Sequence, residues 1–143
     1  MAFKTILAAI DGGEQTRKVL DLAVSLTGEA PDAVIHLLCV VDILPATAAG
    51  MAGATDLAID TLETLAQQTV KDAAELLQGR SIRTEVHVLP GNSAQTIVAQ
   101  AKTLNCDAIV VGHRHRTFWL RLFDQSTCVD LLDSAPCPLM IAT

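Results

Sequence analysis

Residues 4–13 read KTILAAIDGG, and this stretch decides the fold. A short apolar run that stops at Asp-Gly-Gly is typical of a buried strand followed by a tight turn. Apolar residues then recur at spacings of three and four, which indicates a helix, and Gly28 and Pro31 end it. Residues 33–41 form a second apolar run, rich in Val, Ile and Leu, and predict a second strand.

The same alternation of strands and helices continues to the end of the chain. Residues 42–55 are the one long irregular stretch, and loops of this length are usually functional lids or mobile segments. The remaining predicted elements are a helix from a cap at Asp56 to about Gln78, a half-exposed edge strand at 82–89, a helix capped by Asn92, a buried strand at 108–111, a loop at 113–125, a short helix at 126–133 and a last strand at 138–142.

This order predicts an α/β fold over residues 1–143, organised as a single domain. Strands that alternate with helices imply a doubly wound, five-stranded parallel sheet with helices on both faces. In such sheets, ligands bind beyond the carboxyl ends of the strands, where the strand order reverses. We therefore expect site residues just after the strands.

Composition excludes several classes of function. The chain has 143 residues, of which 50% are hydrophobic and 3% aromatic, and its net charge is −6. An acidic domain with few aromatic side chains lacks the basic face and the stacking platform of a nucleic-acid binder. It shows no basic amphipathic helix for a membrane surface and no signal peptide, so we expect a cytoplasmic protein. The four cysteines form no C-x-x-C pair, and we interpret them as reduced and mostly buried.

A basic segment follows the strand at 108–111. Residues 110–127 hold three of the ten Lys and Arg residues, namely Arg114, Arg116 and Arg121, and two of the four His residues. Because this segment leads into a predicted helix N-terminus, it is a candidate anion site, although a solvated basic loop is the alternative. A metal site at His113 and His115 is disfavoured because a third clustered ligand is lacking.

Asp11 and the aromatic residues of the basic segment allow two interpretations each, whereas two histidines are interpreted in one way. Asp11 is either a turn former before two glycines or a carboxylate that accepts hydrogen bonds from a ligand. His36 and His87 lie within predicted strands, and we interpret them as structural histidines with satisfied hydrogen bonds. The aromatic residues of the basic segment either anchor their loop in the core or contact a partner; they are Phe118, Trp119 and Phe123.

Four motifs, in order and spacing, resemble the universal stress protein family. They are residues 6–12 (ILAAIDG), 89–92 (LPGN), 107–112 (DAIVVG) and 135–139 (APCPL). The resemblance covers nearly the whole chain. It implies the strand order 3-2-1-4-5, a homodimer, and a role in stress resistance and regulation, generally without a catalytic cycle.

The resemblance also implies a site for ATP or AMP, with a G-x-x-G-x9-G-[S/T] motif after strand 4. Here Gly112 keeps the first glycine and Ser126 the last position, but His115 and Gln125 replace the other two glycines. Asp124 adds negative charge beside the expected phosphate. The resemblance places adenosine against Asp11 and Val41. The predicted site residues are Ala9, Ile10, Asp11, Val41, Val111, Gly112, Arg114, His115, Gln125, Ser126 and Thr127.

Two functions therefore follow from the sequence. The first is a regulatory module that binds an adenine nucleotide, or a related phosphate ligand, weakly where strands 1 and 4 meet. The second is a dimeric interaction protein of the same family without nucleotide, acting through its dimer and the loop of Phe118 and Trp119. An enzyme is not expected, because no nucleophile paired with a base and no metal-ligand set is evident. We expect no metal, and a homodimer with its last strand, residues 138–142, at the interface.

Overall fold

A computed structural model describes residues 3–41, 52–91, 93–112 and 135–143. The elements of this part are strands β1 (Thr5–Ala9), β2 (Val34–Val41), β3 (Arg83–Pro90), β4 (Ala108–Gly112) and β5 (Leu139–Ala142), and helices α1 (Gln15–Thr27), α2 (Ala52–Leu76) and α3 (Ser93–Thr103).

The five strands form one parallel sheet in the order β3-β2-β1-β4-β5. This confirms the predicted α/β class and the strand order 3-2-1-4-5. The chain steps from β1 to β2 to β3 in one direction and then crosses to β4 on the other side of β1. The order therefore reverses between β1 and β4, as in other doubly wound sheets.

The inner strands are buried on both faces because helices cover both. On one face Ile6, Ile35 and Leu37 belong to a core that includes residues of α1 and α2. On the other face Leu7 and Leu38 pack with residues of α3. Burying one such side chain completely stabilises the fold by about 1.5–3 kcal/mol. This double burial is why these strands are continuous apolar runs rather than alternating ones.

The two outer strands are less protected. β3 pairs with β2 and β5 with β4, and most residues of both are at least partly exposed. The predicted edge position of residues 82–89 is confirmed.

One predicted boundary is wrong. α2 begins at Ala52, so residues 52–55 of the expected irregular stretch are helical, and Asp56 lies inside the helix instead of capping it. Ala52 and Ala54 favour a helix but Gly53 and Thr55 do not, so local propensity alone does not account for the earlier start. The rest of that stretch, the cap at Asn92 and the predicted helix at 126–133 lie outside the described residues.

Across the described residues, no helix combines the length and the apolar character needed to span a bilayer.

Candidate functional site

The C-terminal ends of β1 and β4 lie side by side at the reversal of strand order. Ala8 pairs with Val110, so the turn after β1 lies next to the end of β4. The residues that line a narrow recess at this point are Ala9, Ile10, Asp11, Gln15, Thr16, Val19 and Gly112. The structure therefore brings four of the predicted site residues together: Ala9, Ile10, Asp11 and Gly112.

Asp11 shapes the turn between β1 and α1. Its Oδ1 accepts a hydrogen bond of 2.9 Å from the backbone N–H of Gly13, which is the Asx turn that its sequence context indicates. Gly12 has φ +83°, and a Cβ there would lie 2.9 Å from Oγ1 of Thr69. The turn therefore requires glycine both for its backbone conformation and for the close approach of α2. The side chain of Asp11 remains exposed.

A second cavity of about 230 Å³ shares Asp11 with the recess. Its lining comes from the turn, the end of β2 and one face of α2: Asp11, Cys39, Val40, Val41, Leu62, Leu65, Ala66 and Thr69. Val41 therefore lines the same cavity as Asp11, as the resemblance implies. The α2 residues of the lining were not among the predicted site residues. The lining is mostly apolar with few polar groups, which is typical of small-molecule sites.

The side chain of Cys39, which lines that cavity, is an uncharged thiol. Burial raises the pKa of its thiol, and the carboxylate of Asp11 raises it further. The thiolate is the nucleophilic form of cysteine, so this environment does not activate Cys39.

Sequence reasoning also missed Gln15 and Thr16, at the start of α1. Gln15 Oε1 and Thr16 Oγ1 are buried, and neither has a hydrogen-bond partner among the described residues. Both side chains line the recess beside Asp11 and Gly112. Buried polar atoms are nearly always hydrogen-bonded in folded proteins, so Gln15 Oε1 is available to accept a hydrogen bond from a bound group, and the Thr16 hydroxyl is available to accept or donate one. Their only sequence signal is their position after the Gly-Gly turn.

A wider groove of about 480 Å³ connects these features. It runs from the Gly12 turn between α1 and α2, shares Thr16 with the recess, and shares Leu65 and Thr69 with the cavity. Its charged lining consists of Arg17 of α1, Glu14 just before that helix and Asp72 of α2. The recess, the cavity and the groove are continuous around the turn after β1. Polar groups line the recess and the groove, and the cavity is mostly apolar.

Gly112 has a packing role as well as a place in the predicted motif. It is buried, and an added Cβ would lie 3.0 Å from Cβ of Gln15 and 3.3 Å from Cγ2 of Val19. The missing side chain therefore lets α1 approach the end of β4. Val111 precedes it, but its side chain packs in the core on the α3 face and does not line the recess.

The rest of the predicted site lies outside the described residues. These positions are Arg114, His115, Gln125, Ser126 and Thr127, together with Arg116, Arg121, Asp124 and the three aromatic residues of the basic segment.

The sequence profile of the Universal stress protein family matches residues 2–143 of this chain. No curated protein is similar enough in sequence to count as a match.

Solved structures with the same fold include three informative ones. The universal stress protein UspA from Lactobacillus plantarum is 21% identical, with a TM-score of 0.75, over 100% of this chain and 99% of that one. The universal stress protein from Archaeoglobus fulgidus, solved in complex with dAMP, is 19% identical, with a TM-score of 0.66, over 100% of both chains. A family protein from Arabidopsis thaliana with AMP bound is 14% identical, with a TM-score of 0.61, over 96% of this chain and 90% of that one.

Proposed function

Because the chain belongs to the universal stress protein family, we propose that it binds an adenine nucleotide where β1 and β4 end side by side. The proposed role is that of a regulatory, stress-response module in the cytoplasm rather than that of an enzyme. The observation that carries the proposal is a pair of buried polar atoms, Gln15 Oε1 and Thr16 Oγ1, in the recess beside Asp11 and Gly112; neither atom has a hydrogen-bond partner within the described part of the chain.

The described residues suit the adenosine part of such a ligand. The cavity of about 230 Å³ has an apolar floor for a base, with Asp11 and Thr69 as polar groups at its lining. A carboxylate accepts hydrogen bonds from ribose hydroxyls or an exocyclic amino group. Related proteins from Archaeoglobus fulgidus and Arabidopsis thaliana carry dAMP and AMP, which are nucleotides with a single phosphate.

For the phosphates, the proposal relies on the basic segment. Arg114 and Arg116 supply donors, and the predicted helix beginning near Ser126 supplies a positive dipole end. His115 and Gln125 put side chains where the family motif has glycines, and Asp124 adds repulsion. We therefore propose weak binding, better for AMP or adenosine than for ATP, with no metal required.

The alternative function is a dimeric interaction protein that no longer holds a nucleotide. The loss of two motif glycines favours it, and the exposed side chain of Ile141 on the edge strand β5 supplies an apolar contact for a second copy. In this alternative the loop of Phe118 and Trp119 contacts partner proteins. A homodimer belongs to both proposals.

The test compares Asp11→Asn with the unmodified protein by calorimetry, using AMP, adenosine and ATP. Asn keeps the oxygen that accepts from Gly13 N–H, so the turn persists while the charge is lost. We expect about tenfold weaker AMP binding, because a hydrogen bond to a charged group contributes about 1.5–3 kcal/mol.

Asp21→Asn is the matched control, since Asp21 is an exposed acid of α1 that lines neither the recess nor the cavity. It should bind AMP like the unmodified protein. Absence of binding to all three ligands at millimolar concentration, with no nucleotide released when fresh protein is denatured, would favour the interaction protein.

A further inference from the structure

A second polar cluster lies away from the proposed nucleotide site, on the α3 face of the sheet. His36 of β2 is in register with Glu85 of β3, and Leu38 is in register with His87. Because side chains alternate along a strand, Glu85 and His87 share a face, and pairing puts His36 on it too. His36 precedes Val41 by five positions, so the cluster lies upstream of the strand ends that form the recess.

The three side chains present their donor atoms to one point. Nδ1 of His36 is 3.0 Å from Nε2 of His87 and 3.2 Å from Oε2 of Glu85. One ligand atom from each residue lies within 4.8 Å of the other two. In a tetrahedral zinc site with bonds of about 2.0–2.1 Å, ligand atoms are about 3.3 Å apart. Two of the three distances between ligand atoms therefore match a zinc site, and the third is no more than 4.8 Å.

Neighbouring side chains orient two of these ligands. Arg83 binds the other carboxylate oxygen of Glu85, Oε1, and leaves Oε2 toward His36. Gln100 of α3 lies 3.5 Å from Nδ1 of His87 with its side-chain amide, on the side of the ring opposite Nε2. Metal-bound histidines and carboxylates commonly have such outer partners, which fix ring tautomer and orientation. The positive charge of Arg83 opposes a cation, but that side chain is mostly exposed and screened.

The protonation of the cluster is also compatible with a metal. His36 is only 5% exposed, and burial, followed by the charge of His87, lowers the pKa of its imidazole. A neutral imidazole has the free lone pair that a metal needs. Without a metal, the 3.0 Å contact between Nδ1 of His36 and Nε2 of His87 is a hydrogen bond in which one ring nitrogen donates its proton. Metal binding would need that proton to move to the other nitrogen of the same ring, so that both lone pairs face the ion.

We propose that His36, Glu85 and His87 form a three-ligand site for a divalent transition metal ion, with zinc the best fit. Two imidazoles and one carboxylate are a ligand set that zinc uses, with a fourth position left to water. Because Glu85 and His87 are only half buried, solvent reaches this position. Since the ligands come from β2 and β3, a bound ion would tie the edge strand to the sheet. Within the described part of the chain, no other group of three such side chains is this close.

The first experiment measures zinc binding to the full-length protein after chelator treatment and dialysis. We expect one zinc ion per chain by calorimetry and by elemental analysis, and a rise in melting temperature on adding zinc. Glu85→Gln and His87→Gln should each weaken binding by at least about tenfold and should remove the rise. Glu75→Gln is the control, because it removes an exposed carboxylate of α2, which packs on the other face of the sheet, and it should bind zinc like the unmodified protein.

A second experiment separates this site from adventitious binding to cysteine. Cobalt in place of zinc should give the visible bands of a four-coordinate nitrogen and oxygen site without a thiolate charge-transfer band. Glutamine has nearly the size and shape of glutamate, and far-UV circular dichroism is used to check that Glu85→Gln is folded. Three results would overturn the proposal. They are no binding at about 0.1 mM zinc, which would mean very weak affinity at best, a thiolate band in the cobalt spectrum, and unchanged zinc binding in both ligand variants. The cluster would then be a hydrogen-bonded structural pair of histidines.

Discussion

Gly112 shows how one residue can satisfy a packing requirement and a motif at the same time. α1 packs against the end of β4, and a Cβ added at Gly112 would lie 3.0 Å from Cβ of Gln15, closer than most such contacts, so α1 would have to shift by a few tenths of an ångström. Packing therefore favours glycine at this position even if no ligand approaches the backbone. A sequence motif alone does not separate these two reasons, since both demand the same residue type.

Gly112→Ala tests the packing reason. The backbone of Gly112 is not in the left-handed region, so alanine is not strained there, and the cost comes from overpacking against α1. We expect the free energy of unfolding, measured in urea, to fall by about 1–3 kcal/mol. Gly79→Ala is the comparison, because Gly79 has φ +87° and open space around it, so that its cost is conformational strain alone. A neutral or stabilising Gly112→Ala would show that α1 shifts freely.

At the scale of elements, the apolar runs made the strands predictable and the alternation made the fold class predictable. The strand order came from the resemblance, because local patterns do not say which strands are neighbours. The start of α2 was missed because the alanines before Asp56 carry no capping signal, whereas Asp56 itself does. Gln15 and Thr16 were missed because an unpartnered polar atom is a property of tertiary packing, which no local pattern contains.

The basic segment carries the prediction at the scale of elements. If the side chains at the lost glycine positions block the phosphates, the double variant His115→Gly with Gln125→Gly should bind ATP more tightly. The gain should be larger for ATP than for AMP, because ATP has three phosphates to place against the loop and AMP has one. We expect a gain of about tenfold, equal to about 1.4 kcal/mol. The matched variant, His115→Ala with Gln125→Ala, keeps a Cβ at both positions and should gain less. Equal gains, or none, measured by calorimetry, would mean that backbone access is not limiting.

At the scale of the whole molecule, the open question about the expected homodimer is which edge strand, β5 or β3, forms the interface. β5 and β3 each expose one large aliphatic side chain to a similar degree, Ile141 at 47% and Val86 at 48%. Ile141→Lys should convert the dimer to monomer, because a charge in an apolar interface is costly to desolvate. Val86→Lys is the matched control and should remain dimeric. Light scattering at micromolar concentration decides it: a monomeric unmodified protein, or loss of the dimer in Val86→Lys alone, would contradict the β5 interface.

The difference between the two edges has a consequence for growth beyond a pair. Along β3, Arg83 and Glu85 place charges on the strand, and Pro90 ends it without an N–H group to donate. Charges and proline on an edge discourage pairing with another strand. A sheet in which the β5 edge can pair with another strand and the β3 edge cannot resembles, in polymer chemistry, a monomer with a single reactive group. If the proposed homodimer forms through β5, both of its remaining sheet edges are β3 edges, and we expect the dimer to resist adding a third copy and growing into a fibre.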